Sequence, residues 1–222
     1  MDGTLYHIKR TTSTQHEARR RIEQGSAGLG DAIVADEQTT GRGRFGRTWI
    51  SPDGGLYATW ILSLDPLLSL KAGLAVTRVL RCVGIDAGIK WPNDVLVGHL
   101  KIAGVLIETT GMFSLVGIGV NLMSSPLDTA TCVNAYVDGI NRDEWVRRIG
   151  HELKDLECGA FDLDAYRERS LTLGRRVRIE GLRENEGVEG IALSIDDAGG
   201  LIIETPEGPR TISSGECLHL RN

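Results

Sequence analysis

Residues 41 to 48 read Gly-Arg-Gly-Arg-Phe-Gly-Arg-Thr, three arginines interleaved with three glycines. Guanidinium forks grip carboxylate and phosphate oxygens in pairs, and glycines let backbone N–H groups turn toward an anion. The chemistry open to such a stretch is anion capture. Its glycines fit G-x-G-x-x-G, the dinucleotide fingerprint, and the same residues miss G-x-x-x-x-G-K-[ST] only because Arg47 replaces the lysine. Both motifs need a strand in front and a helix directly behind, since the helix N-terminus holds the phosphate. Here Asp36-Glu37-Gln38-Thr39-Thr40 separates the preceding strand from Gly41. Trp49-Ile50-Ser51-Pro52-Asp53-Gly54-Gly55 follows and cannot be a helix. The loop is therefore neither kind. No acidic residue lies between Glu37 and Asp53, so it reads as a mobile anion clamp, with a plain exposed basic turn as the alternative.

A second cluster, Lys90-Trp91-Pro92-Asn93-Asp94, is polar and stiff between apolar strands, and Lys101 opens the apolar run KIAGVLIE. Read singly, these residues are ordinary. Lys101 is a solvated lysine at a hairpin mouth, Trp91 is core, and Asp94 is a turn residue. Gly104 marks either a close backbone approach or a bulge. No Ser–His–Asp or Cys–His constellation is visible. Five histidines make no H-x-x-x-H pair. Cys82, Cys132, Cys158 and Cys217 make no C-x-x-C pair and read as buried or idle thiols of a reducing cytoplasm.

The elements that must position these groups follow from periodicity. Strands are expected over Leu5–Lys9, Ala32–Ala35 and Leu56–Leu64. Ser13 or Thr14 caps a helix that runs through Glu23 and stops at Gly25. Residues 37–54 form a long loop, and Leu67–Val83 is a helix ending at Gly84. A β-meander is expected over Gly88–Trp91, Val95–Val97, Ile102–Glu108 and Leu115–Val120, with Gly98-His99 as a tight turn. Asn141–Glu157 is a helix with an Asn141/Glu144 capping box and Trp145, Ile149, Leu153 and Leu156 on one face. A further helix covers about 163–171. After Leu173 the pattern changes to RRVRIEG, VEGIALSID, GLIIETP, PRTISS and ECLHLR, a small all-β barrel. The boundary is expected near 172, giving domains 1–171 and 172–222.

With 222 residues the chain has room for a large and a small domain. A net charge of −5 argues against coating nucleic acid. The N-terminus lacks the apolar core of a signal peptide, and no stretch approaches a membrane span. A cytoplasmic protein without a membrane partner is expected.

Taken together, the segments resemble the biotin protein ligases, the biotin–[acetyl-CoA-carboxylase] ligase family. The matching pieces are TTSTQ (11–15), ADEQTTGRGRFGRTWISPDGGLY (35–57), KWPNDVLV (90–97), KIAGVLIE (101–108), GIGVNL (117–122) and GECLHLR (215–221). The resemblance implies an α/β catalytic domain built like the class II aminoacyl-tRNA synthetase core, followed by an SH3-like barrel. Its match begins within the first fifteen residues, leaving no room for the DNA-binding domain of bifunctional members, so no DNA partner is expected.

It also implies the reaction. Biotin's carboxylate attacks the α-phosphate of ATP, giving biotinyl-5′-AMP and pyrophosphate. A lysine of a biotin carboxyl carrier domain then takes the biotinyl group and releases AMP. Such chemistry rests on positioning and charge stabilisation, with Mg²⁺ arriving with ATP near Asp94 and no metal fixed by protein alone. By resemblance Ser13, Thr14, Gln38, Gly41, Arg42, Lys101 and Gly104 form the biotin site. Ser13 and Thr14 could equally be helix caps, or do both jobs. Arg44, Arg47, Trp49, Asn121 and Arg221 fall on the nucleotide side: Arg44 holds phosphates, Trp49 stacks near the adenine or serves as a lid, and Asn121 reads the adenine edge. Lys101, Arg44 and Asp94 are the catalytic set, Lys101 bridging carboxylate and α-phosphate. Phe45 departs from the basic or polar residue common at its position. Homodimers through the catalytic sheet occur in the family. The alternatives are a lipoate–protein ligase or octanoyltransferase on the same core, and a non-catalytic binder of biotin or its adenylate.

Overall fold

A computed structural model describes residues 3–159, 161–181 and 187–220. The chain runs β1 (Leu5–Thr11), α1 (Thr14–Glu23), β2 (Ala32–Gln38), β3 (Leu56–Ser63), α2 (Leu68–Cys82), β4 (Ala87–Lys90), β5 (Asp94–Val97), β6 (Leu100–Thr110) and β7 (Phe113–Val120). Then come α3 (Arg142–Cys158), α4 (Leu163–Glu168) and β8 (Arg176–Glu180), β9 (Val188–Ile195), β10 (Leu201–Thr205), β11 (Gly208–Ile212) and β12 (Glu216–His219). The first seven strands form one mixed sheet in the order β1-β2-β3-β7-β6-β5-β4. Only β1 and β2 are parallel, joined through α1 as a crossover requires. The meander expected over 88–120 is the β4 to β7 half of this sheet.

Each sheet face is covered. On one side α1 packs Ala18 against Ile33, Ile61 and Leu115. On the other, α2 and α3 seal Trp60, Ile89, Val116 and Ile118 in a cluster that continues into Val177, Ile179, Leu201 and Ile203 of the later strands. Trp145, Ile149, Leu153 and Leu156 are all buried, as their shared helical face requires. The cap of α3 is half of the expected box: Asn141 accepts the Glu144 N–H at 3.1 Å, but the Glu144 carboxylate turns to Arg148 at 2.5 Å. The last helix stops at Glu168 rather than 171, and Leu171 pairs instead with Ile89 of β4.

The five C-terminal strands form an antiparallel sheet in the order β11-β10-β9-β8-β12. Trp91 ties the two sheets together. It is 1% exposed, and its backbone N–H donates to Thr172 Oγ1 at 3.0 Å while its indole N–H donates to Gly199 O at 3.0 Å. Of the thiols, only Cys217 is buried, and burial pushes its pKa up to about 11; Cys132 is half-buried, and Cys82 and Cys158 are exposed. No helix among the described residues is long and apolar enough to cross a membrane.

Candidate active site

The pocket lies on the α1 side of the sheet, where β7 and β6 carry glycine. Gly104 and Gly119 are register partners, and Gly117 faces Leu106. A Cβ at Gly119 would fall 2.4 Å from Trp49 Nε1, and one at Gly104 would fall 3.1 Å from Trp49 Cζ3. The glycines therefore make a flat floor for the Trp49 indole. For Gly104 this settles the choice between close approach and bulge. The bulge is one step away: Ala103 and Lys101 pair with Val95 and Leu96, leaving Ile102 extra. Residues 101 and 104 would otherwise face opposite sides, and the inserted residue turns Lys101 to the side that Gly104 occupies.

Lys101 is thus not a solvated hairpin lysine. Its ammonium lies 2.6 Å from Asp94 Oδ1 and 5.3 Å from the Trp49 ring centre. Its backbone is fixed on both sides, N–H to Thr129 O and C=O from Thr131 N–H. Asn121 serves that arrangement. It is 4% exposed, and its amide donates to Thr131 O at 3.0 Å and Lys101 O at 3.5 Å. The Asn121 amide nitrogen is thus engaged by backbone, which fixes the side chain beside the Lys101 strand.

The clamp has a neck and a tip. At the neck Trp49 N–H donates to Gly41 O at 2.9 Å, and a Cβ at Gly41 would fall 2.3 Å from Trp49 O and 2.5 Å from Ser51 Oγ. Gly41 is where the loop's two stems touch. After it comes only a single 3-10 turn, Arg44–Gly46, with Phe45 at φ 55, so no α-helix follows the loop. Each clamp arginine has a partner from a different element. Arg42 Nη2 meets Glu108 Oε1 of β6 at 3.0 Å, and the other Glu108 oxygen holds Arg19 of α1 at 3.1 Å. Arg44 Nη1 donates to Asn93 Oδ1 at 3.1 Å, and Asn93 in turn donates to Val105 O. Burial draws the Arg44 pKa below its ordinary value, with nearby Asp94 opposing. Arg47 Nη1 meets Glu216 Oε1 of β12 at 2.6 Å, bridging the clamp to the C-terminal sheet.

The far end of the pocket is polar and buried. Ser13 is the N-cap of α1, yet its hydroxyl makes no capping bond, and the N–H of the first helical residue, Thr14, goes to Gln38 Oε1 at 2.8 Å. Ser13, Thr14, Gln38, Arg42, Arg44, Arg47, Trp49, Asp94, Lys101 and Gly104 all line one cleft, with Gly41 at the neck of the clamp and Asn121 beside the Lys101 backbone. Arg221 lies outside the described residues. Sequence reasoning passed over Gln15, whose Nε2 donates to Leu106 O at 2.8 Å and whose Oε1 is buried without a partner on the cleft wall. It also passed over Asn93, Glu108 and Glu216, although each stands inside a segment already singled out. Their signal was being polar within or beside an apolar strand.

A mixed sheet that gathers three arginines, a lysine and a buried polar end over one cleft, with a small antiparallel sheet behind it, is the architecture of a cofactor–protein ligase. Residues 7–123 match the Biotin/lipoate A/B protein ligase family, and residues 172–220 match the Biotin protein ligase C terminal domain. The chain belongs to this family, and to its biotin protein ligase branch. It is similar to the biotin–[acetyl-CoA-carboxylase] ligase of Mycobacterium tuberculosis, 34% identical over 238 aligned residues, covering 96% of this chain and 88% of that one. It is also similar to the biotin protein ligase from Aquifex aeolicus solved with biotin and ATP, at a TM-score of 0.83 and 31% identity with 99% of each chain covered. The biotin protein ligase from Leishmania major solved with biotinyl-5-AMP superposes at a TM-score of 0.67 and 29% identity over 95% of this chain and 99% of that one.

Proposed function

We propose that this protein activates biotin with ATP to biotinyl-5′-AMP and transfers the biotinyl group to a lysine of a biotin carboxyl carrier domain. The observation that carries the reading is the convergence of Lys101, Arg42 and Arg44 with Ser13, Thr14 and Gln38 in one cleft of a chain from this family. The polar end takes the ureido ring, the apolar cleft wall takes the valeryl chain, and the Trp49 indole on its glycine floor stays on the nucleotide side. The carboxylate then arrives at Lys101. The ammonium leaves Asp94 or shares itself with it, bridging the carboxylate and the α-phosphate as negative charge moves between them. Arg42 and Arg44 hold the anions and retain the adenylate.

In this reading Mg²⁺ comes bound to ATP with Asp94 nearby. Residues 1–171 supply the chemistry and 172–222 brace the clamp through Glu216 and the KWPND segment through Thr172 and Gly199. The protein works in the cytoplasm, and a homodimer through the catalytic sheet belongs to the same proposal; sedimentation at assay concentration reads it.

The test is labelling of a carrier domain that depends on both biotin and ATP. Pyrophosphate release driven by lipoate and not biotin would move the protein to the lipoate side of its family. Biotin binding without turnover would make it a sensor.

A further inference from the structure

The polar end of the cleft is held by two residues that do not line it. Thr59 is 0% exposed, on the β3 face that also buries Ile61 beside Ile33. Ser51, 4% exposed, sits where the clamp returns to the sheet, its backbone paired with Gln38. Four hydrogen bonds join them through the pocket wall, and a fifth ties Ser51 to the Trp49 backbone. Thr14 N and Thr14 Oγ1 reach Gln38 Oε1 at 2.8 and 3.2 Å, and Thr59 Oγ1 lies 2.9 Å from Thr14 Oγ1. Gln38 Nε2 lies 2.9 Å from Ser51 Oγ, which lies 2.9 Å from Trp49 O.

The direction of every proton in this chain follows from its two backbone ends. The Thr14 N–H can only donate, so the Gln38 atom facing it is the carbonyl oxygen. That oxygen can only accept, so the Thr14 hydroxyl proton goes to it. Thr14 has no second proton, so Thr59 donates to Thr14. At the other end Trp49 C=O can only accept, so Ser51 donates to it and must accept from Gln38 Nε2. What is left over faces the ligand: one lone pair on Thr14 Oγ1 and one N–H on Gln38 Nε2, both on the cleft wall.

We propose that Thr59 and Ser51 are positioning residues: Thr59 takes one lone pair of Thr14 Oγ1 and Ser51 takes one N–H of Gln38 Nε2, so that the remaining acceptor and donor are held side by side and select a ring that presents an N–H next to a C=O. A cyclic urea does this; a dithiolane ring of similar size does neither and would leave both protein groups unpaired. The inference rests on the biotin reading of the site and names what within it makes the discrimination.

The experiment compares kcat/KM for biotin with that for biotin methylated on a ureido nitrogen. In the wild type the methylated compound is the poorer substrate. Thr59→Val keeps the shape of the side chain and removes the donor. It is expected to raise the biotin KM about 5- to 10-fold, leave kcat and the ATP KM within twofold, and shrink the discrimination by a similar factor, the scale of one lost hydrogen bond. Thr59→Ser restores both. Ser51→Ala reads the same ratio from the other end without touching the packing of β3, so a poorly folded Thr59 variant does not shield the proposal. Unchanged discrimination in Ser51→Ala and Thr59→Val, failure of Thr59→Ser to restore it, or a wild type indifferent to methylation overturns the inference. A wild type that does not turn over biotin at all defeats the functional reading instead.

Discussion

Gly119→Ala should release the clamp while leaving the fold intact. The added methyl would fall 2.4 Å from Trp49 Nε1 and 2.5 Å from Cε2, distances no side chain tolerates. Gly119 is not among the glycines with positive φ, so alanine suits its backbone. What must give is the indole, which sits at the end of a loop and can swing out. An indole buries ~200 Å² when packed, and roughly half of that faces the two-glycine floor. Losing ~100 Å² at ~25 cal/mol per Å² costs the docked clamp about 2.5 kcal/mol, roughly a 70-fold shift toward the open loop. The assay preloads labelled biotinyl-adenylate, chases with unlabelled compound and follows escape. Escape should quicken on the order of 50-fold, with the melting temperature nearly unmoved because the sheet core is untouched. Gly104→Ala is the graded control. Its methyl would meet Trp49 only at 3.1 Å and Lys101 at 3.2 Å, so its effect should be smaller. Wild-type escape from Gly119→Ala, or faster escape from Gly104→Ala, would refute the glycine-floor argument.

Three further outcomes are expected. Lys101→Ala should lower biotin-dependent pyrophosphate release at least ~100-fold while calorimetry still detects biotin binding, since the charge it neutralises develops only in the transition state. Glu216→Gln removes a partly exposed partner of Arg47 and should speed adenylate escape by no more than about 5-fold, a difference that 0.5 M salt, roughly, erases; a large salt-resistant effect would give Glu216 another role. His219 accounts for an acid-side loss of stability. Burial, helped by Lys90 and Arg175, pushes its pKa down to about 4, so the folded chain refuses a proton that the unfolded chain takes below its ordinary 6.5. Its contribution is complete above pH ~6.5 and fades as pH falls toward ~4, by about 2 kcal/mol once its partial exposure is allowed for. Urea unfolding of His219→Asn should therefore show a shallower loss between those pH values than the wild type.

Much of the architecture was legible because it is local. The apolar spacing of 68–82 and 142–158, and the alternation in the last fifty residues, specify helices and strands through side-chain periodicity alone. The expected strands each reappear, β2 and β6 extended by a few residues where polar ends pair with neighbours. The site was legible in part for a similar reason. A glycine–arginine stretch with no helix after it excludes both phosphate-loop motifs on sequence grounds, and the structure puts a single 3-10 turn there.

What the chain order cannot carry is register and partner choice. Nothing local tells that one extra residue at Ile102 turns Lys101 toward the pocket, because a bulge is a mismatch between two strands and exists only in their pairing. Asn121 stands two residues from Gly119, and the 129–131 segment folds back to accept from its amide nitrogen. The carboxylates that hold Arg42 and Arg47 lie 66 and 169 residues downstream of them. Sequence determined which residue types were available for anion chemistry and where the helices and strands begin. Tertiary structure decided which of those side chains are free for a ligand and which are spent on backbone, since hydrogen bonds are counted in space and each donor can be used only once.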